Sequence, residues 1–395
     1  MLPGRQKSAG IMETSPRILQ IANYAGPLYC FMQPLSRALQ RAGAEVELAC
    51  MPAGALWEPL KRSGFKLHEL PPARWCNPLS WWAVYRSVRL LLRTGRFDLM
   101  IVHTPLMSWI ARLAARDLVP ANVYFSHGLP FAPEQGRIPH LVFRCIEKFM
   151  ARYTDAIIVM NSDDVAACRK FRLTRTNGQW YYVPGVGVDV DRYAARPAEH
   201  LITKLEQELG LTAGKPMILF LGRFIKSKGP GDVLKLAQRI GAKADFILAG
   251  EGPLWKQTRQ AAARIGTHVK VIEFTDLVVP LLVRSTLVVL PSVYREGLPH
   301  ILLETYAACR PAVAYDVRGV RDIIENGGTG FLVRPGDVDE LCKAVLGLLG
   351  NEQLRVKMGL DGQKRIREKF SLDASLSAIM PVICAVLEQK RACNS

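Results

Sequence analysis

Two glutamates lie eight positions apart in the second half of the chain, within the segment PSVYREGLPHILLE at residues 291–304. Glu296 is predicted to lie in a loop after a strand that begins at Leu287, and Glu304 in a helix that begins near Pro299. This arrangement predicts two carboxylates that face one pocket. Taken singly, Glu304 could instead be a capping or ion-paired helix residue, and Glu296 a solvated loop charge.

The three residues after Glu296 open the predicted helix. Because Gly297, Leu298 and Pro299 open this helix, the first N–H groups of the helix lack intrahelical partners, and the positive end of its dipole lies beside any anion bound there. The segment therefore predicts a phosphate group at the start of this helix.

A second anion site is predicted in the segment FLGRFIKSKG at residues 220–229, where a strand ends in a glycine turn. Gly222 lets the backbone approach a ligand, while Arg223 and Lys228 can donate charge-assisted hydrogen bonds to a diphosphate. Alternatively, the lysines of this segment are solvated loop charges. The segment GEGP at 250–253 predicts another tight turn at the carboxyl edge of the same sheet, where ligands of open α/β folds bind.

His127 is the candidate functional residue of the first half. It follows a predicted strand in the segment YFSHGLP at residues 124–130, so we expect it at the carboxyl edge of a first sheet, where it could contact a ligand. The alternative is a structural histidine bonded to a loop carbonyl. His103 follows an earlier predicted strand and is a second candidate of the same kind.

The segment from Ser80 to Arg96 is amphipathic at the helical period. Val84, Val88 and Leu91 share one face, which predicts a helix packed on a sheet. The other face holds one aromatic residue and four arginines, which are Trp82, Arg86, Arg89, Arg93 and Arg96. These side chains form either a solvated stripe or a contact with anionic lipid headgroups, which arginine and tryptophan suit.

Short apolar strands alternate with helices along the chain, which predicts parallel sheets covered by helices on both faces. The strands are expected in two series, at 18–22, 46–49, 98–102, 122–125 and 156–160, and at 217–221, 246–249, 269–274, 287–290 and 312–315. We expect a flexible tail at 1–16, a Rossmann-like N-terminal domain at 17–190, a Rossmann-like C-terminal domain at 191–370, and a helix at 371–395 that could return to the N-terminal domain. The cleft between two such domains is the expected ligand site.

The composition is that of a folded protein with a strong basic bias. Of the 395 residues, 49% are hydrophobic and 22% are charged, which excludes long disorder, collagen and a disulfide-rich miniprotein. The 52 lysines and arginines exceed the 35 acidic residues, and the resulting net charge of +17 predicts an anionic partner. No apolar run reaches about 18 residues and no secretory signal is found, which predicts a protein that stays inside the cell. The nine cysteines include no Cys-x-x-Cys pair, which excludes a zinc knuckle.

Several motifs together resemble the retaining glycosyltransferases of family 4. They are the glutamate pair at 296 and 304 after Pro291-Ser292, PAVA at 311–314, GVRD at 319–322 and GTGFLV at 328–333. The resemblance extends from about residue 17 to 370 and is strongest over 184–350. Further segments are similar to bacterial enzymes that extend undecaprenyl-diphosphate-linked sugars or capsular polysaccharide, namely PGVGVD at 184–189, YREGLP at 294–299 and RGVR at 318–321.

This resemblance implies a GT-B fold, in which two Rossmann-like domains face a cleft and the C-terminal domain holds the donor nucleotide without a metal. By position, Arg223 and Lys228 would bind the donor diphosphate, and Glu304 the ribose hydroxyls. Glu296 would bind the hydroxyls of the donor hexose, and His127 would contact the donor sugar. The backbone of Gly297, Leu298 and Pro299 would border the sugar and phosphate. Similar enzymes retain configuration by a front-face route, in which the leaving diphosphate helps to deprotonate the acceptor.

The implied activity is a metal-independent transfer of a hexose or N-acetylhexosamine from a nucleotide sugar, UDP-linked by analogy with the subfamily, to a lipid-linked or polysaccharide acceptor. The expected location is the inner face of the plasma membrane, where the enzyme would be peripheral and would make cell-surface glycans. One alternative is a nucleotide-sugar 2-epimerase of the same fold, which would need catalytic carboxylates and a histidine in the donor cleft. A nucleic-acid-binding protein is suggested only by the net charge, and no recognised motif accompanies it.

Overall fold

The computed structural model describes residues 15–73, 77–132, 136–212, 214–273, 277–294 and 296–394. The tail predicted at 1–16 lies outside these residues except for its last two positions. The chain divides into two compact units. The first consists of the residues up to Gly187 together with Leu372 onwards, and the second of Val188–Ser371.

The first unit is built on one parallel sheet. Its strands are β1 (Arg17–Tyr24), β2 (Glu45–Met51), β3 (Lys66–Glu69), β4 (Leu99–Val102), β5 (Ala121–Phe125), β6 (Ala156–Val159) and β7 (Gln179–Tyr182). They pair in the order β3-β2-β1-β4-β5-β6-β7, and every neighbouring pair is parallel. All residues of β4, β5 and β6 are buried, as expected for strands covered by helices on both faces.

Helices cover both faces of this sheet. They are α1 (Gln33–Arg41), α2 (Trp57–Lys61), α3 (Pro78–Gly95), α4 (Pro105–Ala115), α5 (Arg137–Met150), α6 (Ser162–Phe171) and α15 (Leu372–Asn394). One hydrophobic cluster joins the sheet to α3, α4, α5 and α6 through buried residues such as Val84, Met107, Met150 and Cys168. In α3 the buried face consists of Val84, Val88, Leu92 and Gly95, whereas the predicted Leu91 is only partly buried.

The last helix, α15, belongs to the first unit and contacts α1 and β5. Ile379 and Ile383 are buried, and Lys390 forms an ion pair with Asp155 at 2.9 Å. Among the described residues it is also the one helix that is long and apolar enough, by length and composition alone, to cross a membrane. That criterion is met over Leu372–Lys390, of which 33% is buried in the protein.

The second unit repeats the architecture. Its strands are β8 (Met217–Leu221), β9 (Asp245–Ala249), β10 (Val269–Ile272), β11 (Leu287–Leu290), β12 (Ala312–Tyr315) and β13 (Gly330–Val333). They form a parallel sheet in the order β10-β9-β8-β11-β12-β13. Its helices are α7 (Val190–Ala194), α8 (Glu199–Glu208), α9 (Pro230–Ile240), α10 (Trp255–Ile265), α11 (Val278–Arg284), α12 (His300–Ala307), α13 (Val338–Leu349) and α14 (Glu352–Lys369). The predicted α/β class with two doubly wound sheets is therefore confirmed.

A buried ion pair joins α4 to α5 in the first unit. The Arg112 guanidinium lies 2.8 Å from a Glu147 carboxylate oxygen, and neither side chain is more than 1% exposed. Glu147 also accepts a hydrogen bond from the Trp109 indole at 2.7 Å, and Arg112 donates to the Thr154 hydroxyl at 2.9 Å. Because both charges are removed from water, each depends on the other to offset its desolvation.

We expect Glu147→Gln to lower the free energy of unfolding of the first unit by about 3 to 5 kcal/mol, because it leaves the Arg112 charge buried without a counter-charge. The measurement is denaturant unfolding followed by circular dichroism. Asp361→Asn is the matched control, since Asp361 pairs with Lys357 at 2.8 Å on the exposed face of α14. That variant should change stability by less than about 1 kcal/mol. Equal effects of the two substitutions would contradict the argument.

Candidate functional site

In the second unit, the polar segments identified in the sequence lie where the strand order reverses. β8 and β11 are neighbours in the sheet, while β9 follows β8 on one side and β12 follows β11 on the other. Connections that leave a parallel sheet in opposite directions open a crevice at the carboxyl ends of the two strands. The loop after β8 contains Gly222, Arg223 and Lys228, and the loop after β11 contains Glu296. The topology therefore brings these loops to one point.

Glycines let the loop after β9 pack against the loop after β8. A Cβ atom on Gly250 would lie 2.0 Å from the carbonyl oxygen of Gly222, and one on Gly252 would lie 2.7 Å from that of Phe224. Both glycines have positive φ angles, 148° and 144°, which L side chains rarely adopt. The backbone amide of Phe224 donates to the Glu251 carbonyl at 2.7 Å and completes this contact.

Lys228 and Glu296 form an ion pair between the loops after β8 and β11. The Lys228 Nζ and Glu296 Oε1 atoms are 2.5 Å apart, and the side chains are 22% and 13% exposed. Next to Lys228, Gly229 has a φ of 71° and passes so close to Pro291 that a Cβ atom would lie 2.0 Å from the Pro291 carbonyl oxygen. The two members of the pair are thus a cation and an anion that still reach solvent.

The backbone of Glu296 is also held from its other side. Its amide donates to the Arg318 carbonyl at 3.0 Å. A Cβ atom on Gly319, which has a φ of 81°, would lie 2.7 Å from the Glu296 carbonyl oxygen and 2.4 Å from that of Gly297. Glu296 is therefore fixed between two loops and is not the solvated loop charge that the sequence left open.

Glu304 lies on α12 and accepts a hydrogen bond from the Tyr193 hydroxyl of α7 at 2.9 Å. Burial raises the pKa of the Glu304 carboxyl to about 7, although the Tyr193 bond and the nearby Arg192 charge act in the opposite direction. Burial and the Glu304 carboxylate also raise the pKa of Tyr193, so this phenol remains a donor. Glu304 therefore changes its charge close to neutral pH.

The remaining predicted residues of this unit differ in exposure. Arg223 is exposed, whereas Leu298 is 8% exposed and helps to bury the start of α12. Pro299 is the N-cap residue of α12, with extended backbone angles and no side-chain cap. The helix thus begins where the sequence predicted, directly after Gly297, Leu298 and Pro299.

Among the described residues, no group of three His, Cys, Asp or Glu side chains is arranged to hold a metal ion.

In the first unit, the strand order reverses between β1 and β4, and a chain of four side chains crosses the sheet at that point. It starts at the Met32 carbonyl, which accepts from the Ser36 hydroxyl at 2.9 Å. The Gln20 amide donates to Ser36 at 2.8 Å. The Gln20 carbonyl oxygen lies 3.0 Å from Nε2 of His103, and Nδ1 of His103 lies 3.3 Å from Nε2 of His127.

These contacts determine which nitrogen of each imidazole bears the proton. A backbone carbonyl can only accept, so Ser36 donates to Met32 and must accept from the NH₂ group of Gln20. The amide oxygen of Gln20 then accepts from Nε2–H of His103. Burial, aided by the neighbouring His127, lowers the pKa of His103 well below its usual value, so its Nδ1 is an acceptor. His127 must therefore donate from Nε2.

The five side chains predicted to meet a membrane divide into two groups. Trp82, Arg86 and Arg93 are exposed on α3, and Arg96 is exposed directly after the last residue of this helix, Gly95. The Arg89 guanidinium instead donates to the Ala114 carbonyl at 3.0 Å and lies 3.6 Å from Asp117. Through its bond to the Ala114 carbonyl, Arg89 caps the end of α4. Its side chain is only 19% exposed, so it does not share the exposed face of the other three arginines.

Sequence reasoning missed Tyr193, Gln20 and Ser36. Tyr193 is 111 positions from Glu304, and no local pattern indicated that α7 packs against α12. Gln20 interrupts an otherwise apolar strand and is fully buried, a signal that could have identified it, because a buried polar side chain requires a partner.

Comparisons with known proteins agree with this architecture. A family model described as "Glycosyl transferase 4-like domain" matches residues 31–205, and one described as "Glycosyl transferases group 1" matches residues 202–365. The structure is similar to that of HepE from Anabaena in complex with UDP and glucose, with a TM-score of 0.77 and 19% identity over 94% of this chain and 100% of that chain. Sucrose-phosphate synthase from Thermosynechococcus elongatus gives a TM-score of 0.74, with 19% identity over 95% of this chain and 99% of that one.

Two curated relatives cover most of the chain. The putative glycosyltransferase EpsD of Bacillus subtilis is 28% identical over 76% of this chain and 77% of its own length. UDP-Gal:alpha-D-GlcNAc-diphosphoundecaprenol alpha-1,3-galactosyltransferase of Escherichia coli is 25% identical over 68% of this chain and 71% of its own length. With two glycosyltransferase family models that together span residues 31–365 and a matching fold, the chain belongs to the family 4 glycosyltransferases of GT-B fold and acts in glycan synthesis.

Proposed function

We propose that this glycosyltransferase moves a hexose or N-acetylhexosamine from a UDP-linked donor to a lipid-linked or polysaccharide acceptor, without a metal and with retention of configuration. The observation that supports the proposal best is the Lys228–Glu296 pair at the switch point of the second sheet. It offers a cation for a diphosphate beside a carboxylate for sugar hydroxyls. The names of the Escherichia coli relative and the HepE complex, which mention UDP-galactose with diphosphoundecaprenol and UDP with glucose, agree with this chemistry.

Donor binding exchanges the partners of this ion pair. The ammonium group of Lys228 turns from Glu296 to the donor diphosphate, which has a higher negative charge, and Arg223 adds a bidentate donor from the same loop. Glu296 is then free to accept hydrogen bonds from the hydroxyls of the hexose. Because the backbone of Glu296 is already fixed, little ordering is left for the binding step.

Glu304 binds the ribose of the donor. Its ionised carboxylate accepts hydrogen bonds from ribose hydroxyls, while Tyr193 holds it in place. Its raised pKa means that the free enzyme is a mixture of protonated and ionised forms near neutral pH. Ligand binding favours the ionised form, since a carboxylate accepts stronger, charge-assisted hydrogen bonds from ribose hydroxyls than a protonated carboxyl does.

In the transfer step, the bond between the anomeric carbon and the diphosphate oxygen breaks, and its electron pair leaves with the diphosphate. The acceptor hydroxyl attacks the same face of the sugar, and its proton passes to the departing phosphate oxygen. Arg223, Lys228 and the backbone N–H groups of Gly297, Leu298 and the start of α12 stabilise the negative charge that develops there. Configuration is retained because the leaving and attacking oxygens share one face.

His127 contacts the donor sugar, and its hydrogen-bond chain positions the ring. Gln20 and His103 thus act as positioning residues for His127.

The acceptor side of this proposal places the enzyme in the cytoplasm, peripheral on the inner face of the plasma membrane. Trp82, Arg86 and Arg93 on α3, with Arg96 directly after it, are the proposed contacts with anionic headgroups. Each basic side chain near such a surface contributes roughly 1 kcal/mol.

Incubation with UDP- and GDP-sugars, with and without lipid extract, tests the proposed reaction. Nucleotide released only when acceptor is present indicates transfer, and product analysis by NMR reports the anomeric configuration. Conversion of the donor sugar to its 2-epimer without acceptor would identify an epimerase instead.

The first prediction about the proposed reaction concerns Glu304. Glu304→Gln should weaken UDP binding by about 1.5 to 3 kcal/mol near pH 8, because an amide replaces a charged acceptor. Wild-type affinity should rise as the pH increases through about 7, while the variant loses this dependence. Tyr193→Phe should shift the wild-type midpoint to higher pH, because it removes a bond to the ionised form. Calorimetry of all three proteins tests this, and equal pH profiles for wild type and Glu304→Gln would overturn the assignment.

The second prediction concerns the proposed diphosphate cations. Arg223→Ala and Lys228→Ala should each reduce kcat by about 10²- to 10³-fold, and by more than they reduce affinity for uridine, since their charge matters most as the diphosphate leaves. Lys226→Ala is the matched control, because Lys226 is an exposed cation in the same turn. Near wild-type turnover of the double variant would contradict the proposed roles.

The third prediction concerns the hydrogen-bond chain of the first unit. Nitrogen NMR of ¹⁵N-histidine-labelled enzyme should find His103 protonated at Nε2 alone, and His127 protonated at Nε2. Ser36→Ala frees the Gln20 amide to turn, so both tautomers of His103 should appear and kcat should fall by about 10-fold, with UDP affinity unchanged. An unchanged His103 tautomer in this variant would show that Ser36 does not set the direction of the chain.

A further inference from the structure

An apolar stripe covers the solvent side of α5. Ile138 is 76% exposed, Leu141 and Val142 are each 48% exposed, and Phe149 is 47% exposed. Cys145 is exposed between them. These positions share one side of the helix and extend over about 16 Å. The opposite side, with Glu147 and Met150, is buried in the first unit, so the stripe lies on the side of the helix that faces away from the core.

A similar exposed apolar group lies on α3, the other long helix of this layer. Leu79 is 80% exposed, Leu90 is 64% exposed and Trp82 is 60% exposed. Exposed apolar groups of this size on a folded protein indicate an interaction surface. α3 and α5 both pack on α4, so the two groups belong to the same helical layer.

The charged side chains of these two helices that reach solvent are all basic. The sequence of α3 contains no acidic residue, and the one acidic residue of α5, Glu147, is buried against Arg112. The basic residues that flank the two apolar groups are Arg86, Arg93, Arg137, Lys148 and Arg152. Asp117 lies between the helices, but it is paired with Arg116 at 3.1 Å and with Arg89 at 3.6 Å.

Aromatic and arginine side chains join the two apolar groups into one surface. Trp82 stacks on Tyr85 with ring centroids 5.4 Å apart. Arg116 lies close to both Tyr85 and Tyr153. The ring of Tyr153 in turn meets that of Phe149, with centroids 6.0 Å apart. The surface is therefore continuous from α3 to α5.

We infer that the outer faces of α3 and α5 form one docking surface for an anionic lipid bilayer, with the α5 stripe inserted among the headgroups. An apolar stripe flanked only by basic residues is typical of helices that lie in a membrane interface, and Trp and Tyr favour the same depth. The exposed charges of this surface are basic, and the charge of Asp117 is balanced by its arginine partners. The surface therefore attracts anionic lipid headgroups and not cationic or neutral ones. This inference deepens the proposed membrane contact of α3, because it assigns α5 as the helix that inserts among the headgroups. It rests on the proposed function only in that a lipid-linked acceptor would explain why the enzyme binds a membrane.

The test is sedimentation with phosphatidylglycerol and with phosphatidylcholine vesicles. Wild type should bind phosphatidylglycerol vesicles more tightly, and binding should weaken as salt rises, because salt screens the basic residues. Leu141→Glu with Phe149→Glu should reduce this binding by about 10-fold or more. The matched control is Val356→Glu with Leu360→Glu on α14 of the second unit, where both side chains are 54% exposed. This control should bind like wild type.

Turnover on a short soluble acceptor separates this inference from the proposed function. It should be unchanged in the α5 double variant, and unchanged melting temperatures would confirm that both variants fold. Wild-type binding to vesicles by the α5 variant would overturn the docking surface while leaving the proposed reaction intact. The docking surface would also be overturned if wild type were a dimer, and if the α5 substitutions dissociated that dimer without changing vesicle binding. The stripe would then be covered by a second copy of the chain.

Discussion

The polar end of the second sheet depends on backbone approaches that only glycine permits. Gly229 passes the Pro291 carbonyl, and Gly250 passes the Gly222 carbonyl, so closely that a Cβ atom would lie 2.0 Å from either oxygen. Both residues also have positive φ angles, so any other residue would add backbone strain to the clash. The Gly229 approach brings the loops after β8 and β11 together, and the Gly250 approach packs the loop after β9 against the loop after β8. The Lys228–Glu296 pair forms where the loops after β8 and β11 meet, and its geometry therefore follows from the glycines as much as from the charges.

Two ion pairs between a basic side chain and a glutamate differ in their exposure to solvent. This difference distinguishes a pair that stabilises the fold from a pair that can bind a ligand. Arg112 and Glu147 are at most 1% exposed and are surrounded by further hydrogen bonds, so no ligand can compete for either charge. Lys228 and Glu296 keep 22% and 13% exposure. Their desolvation is smaller, and an incoming anion can replace the carboxylate beside Lys228. Exposure, and not the presence of a charged pair, is what makes the second pair a candidate for ligand binding.

The family could be recognised from its motifs, and the fold class from the nine central strands, which are mostly apolar runs and were predicted together with the edge strand β10. The strands that were missed, β3, β7 and β13, are all at sheet edges. Both β3 and β7 have exposed end residues and no fully buried position, so they lack the apolar run that marks a central strand. The site residues were recognisable as types, but their partners were not. Tyr193 meets Glu304 only because α7 packs on α12, which no local spacing encodes.

The hydrogen-bond chain of the first unit illustrates how backbone geometry can determine side-chain chemistry at a distance. Ser36 bonds to the carbonyl four residues earlier in its own helical segment, a local arrangement that Ser often adopts. The donor–acceptor direction that Ser36 sets continues to Gln20 on β1, then to His103 after β4 and finally to His127 after β5. These three strands are adjacent in the sheet. Protonation of His103 would reverse its contact with His127, since both nitrogens would then donate. Burial prevents this by lowering the pKa of His103, so at neutral pH its Nδ1 stays an acceptor and the chain keeps one direction.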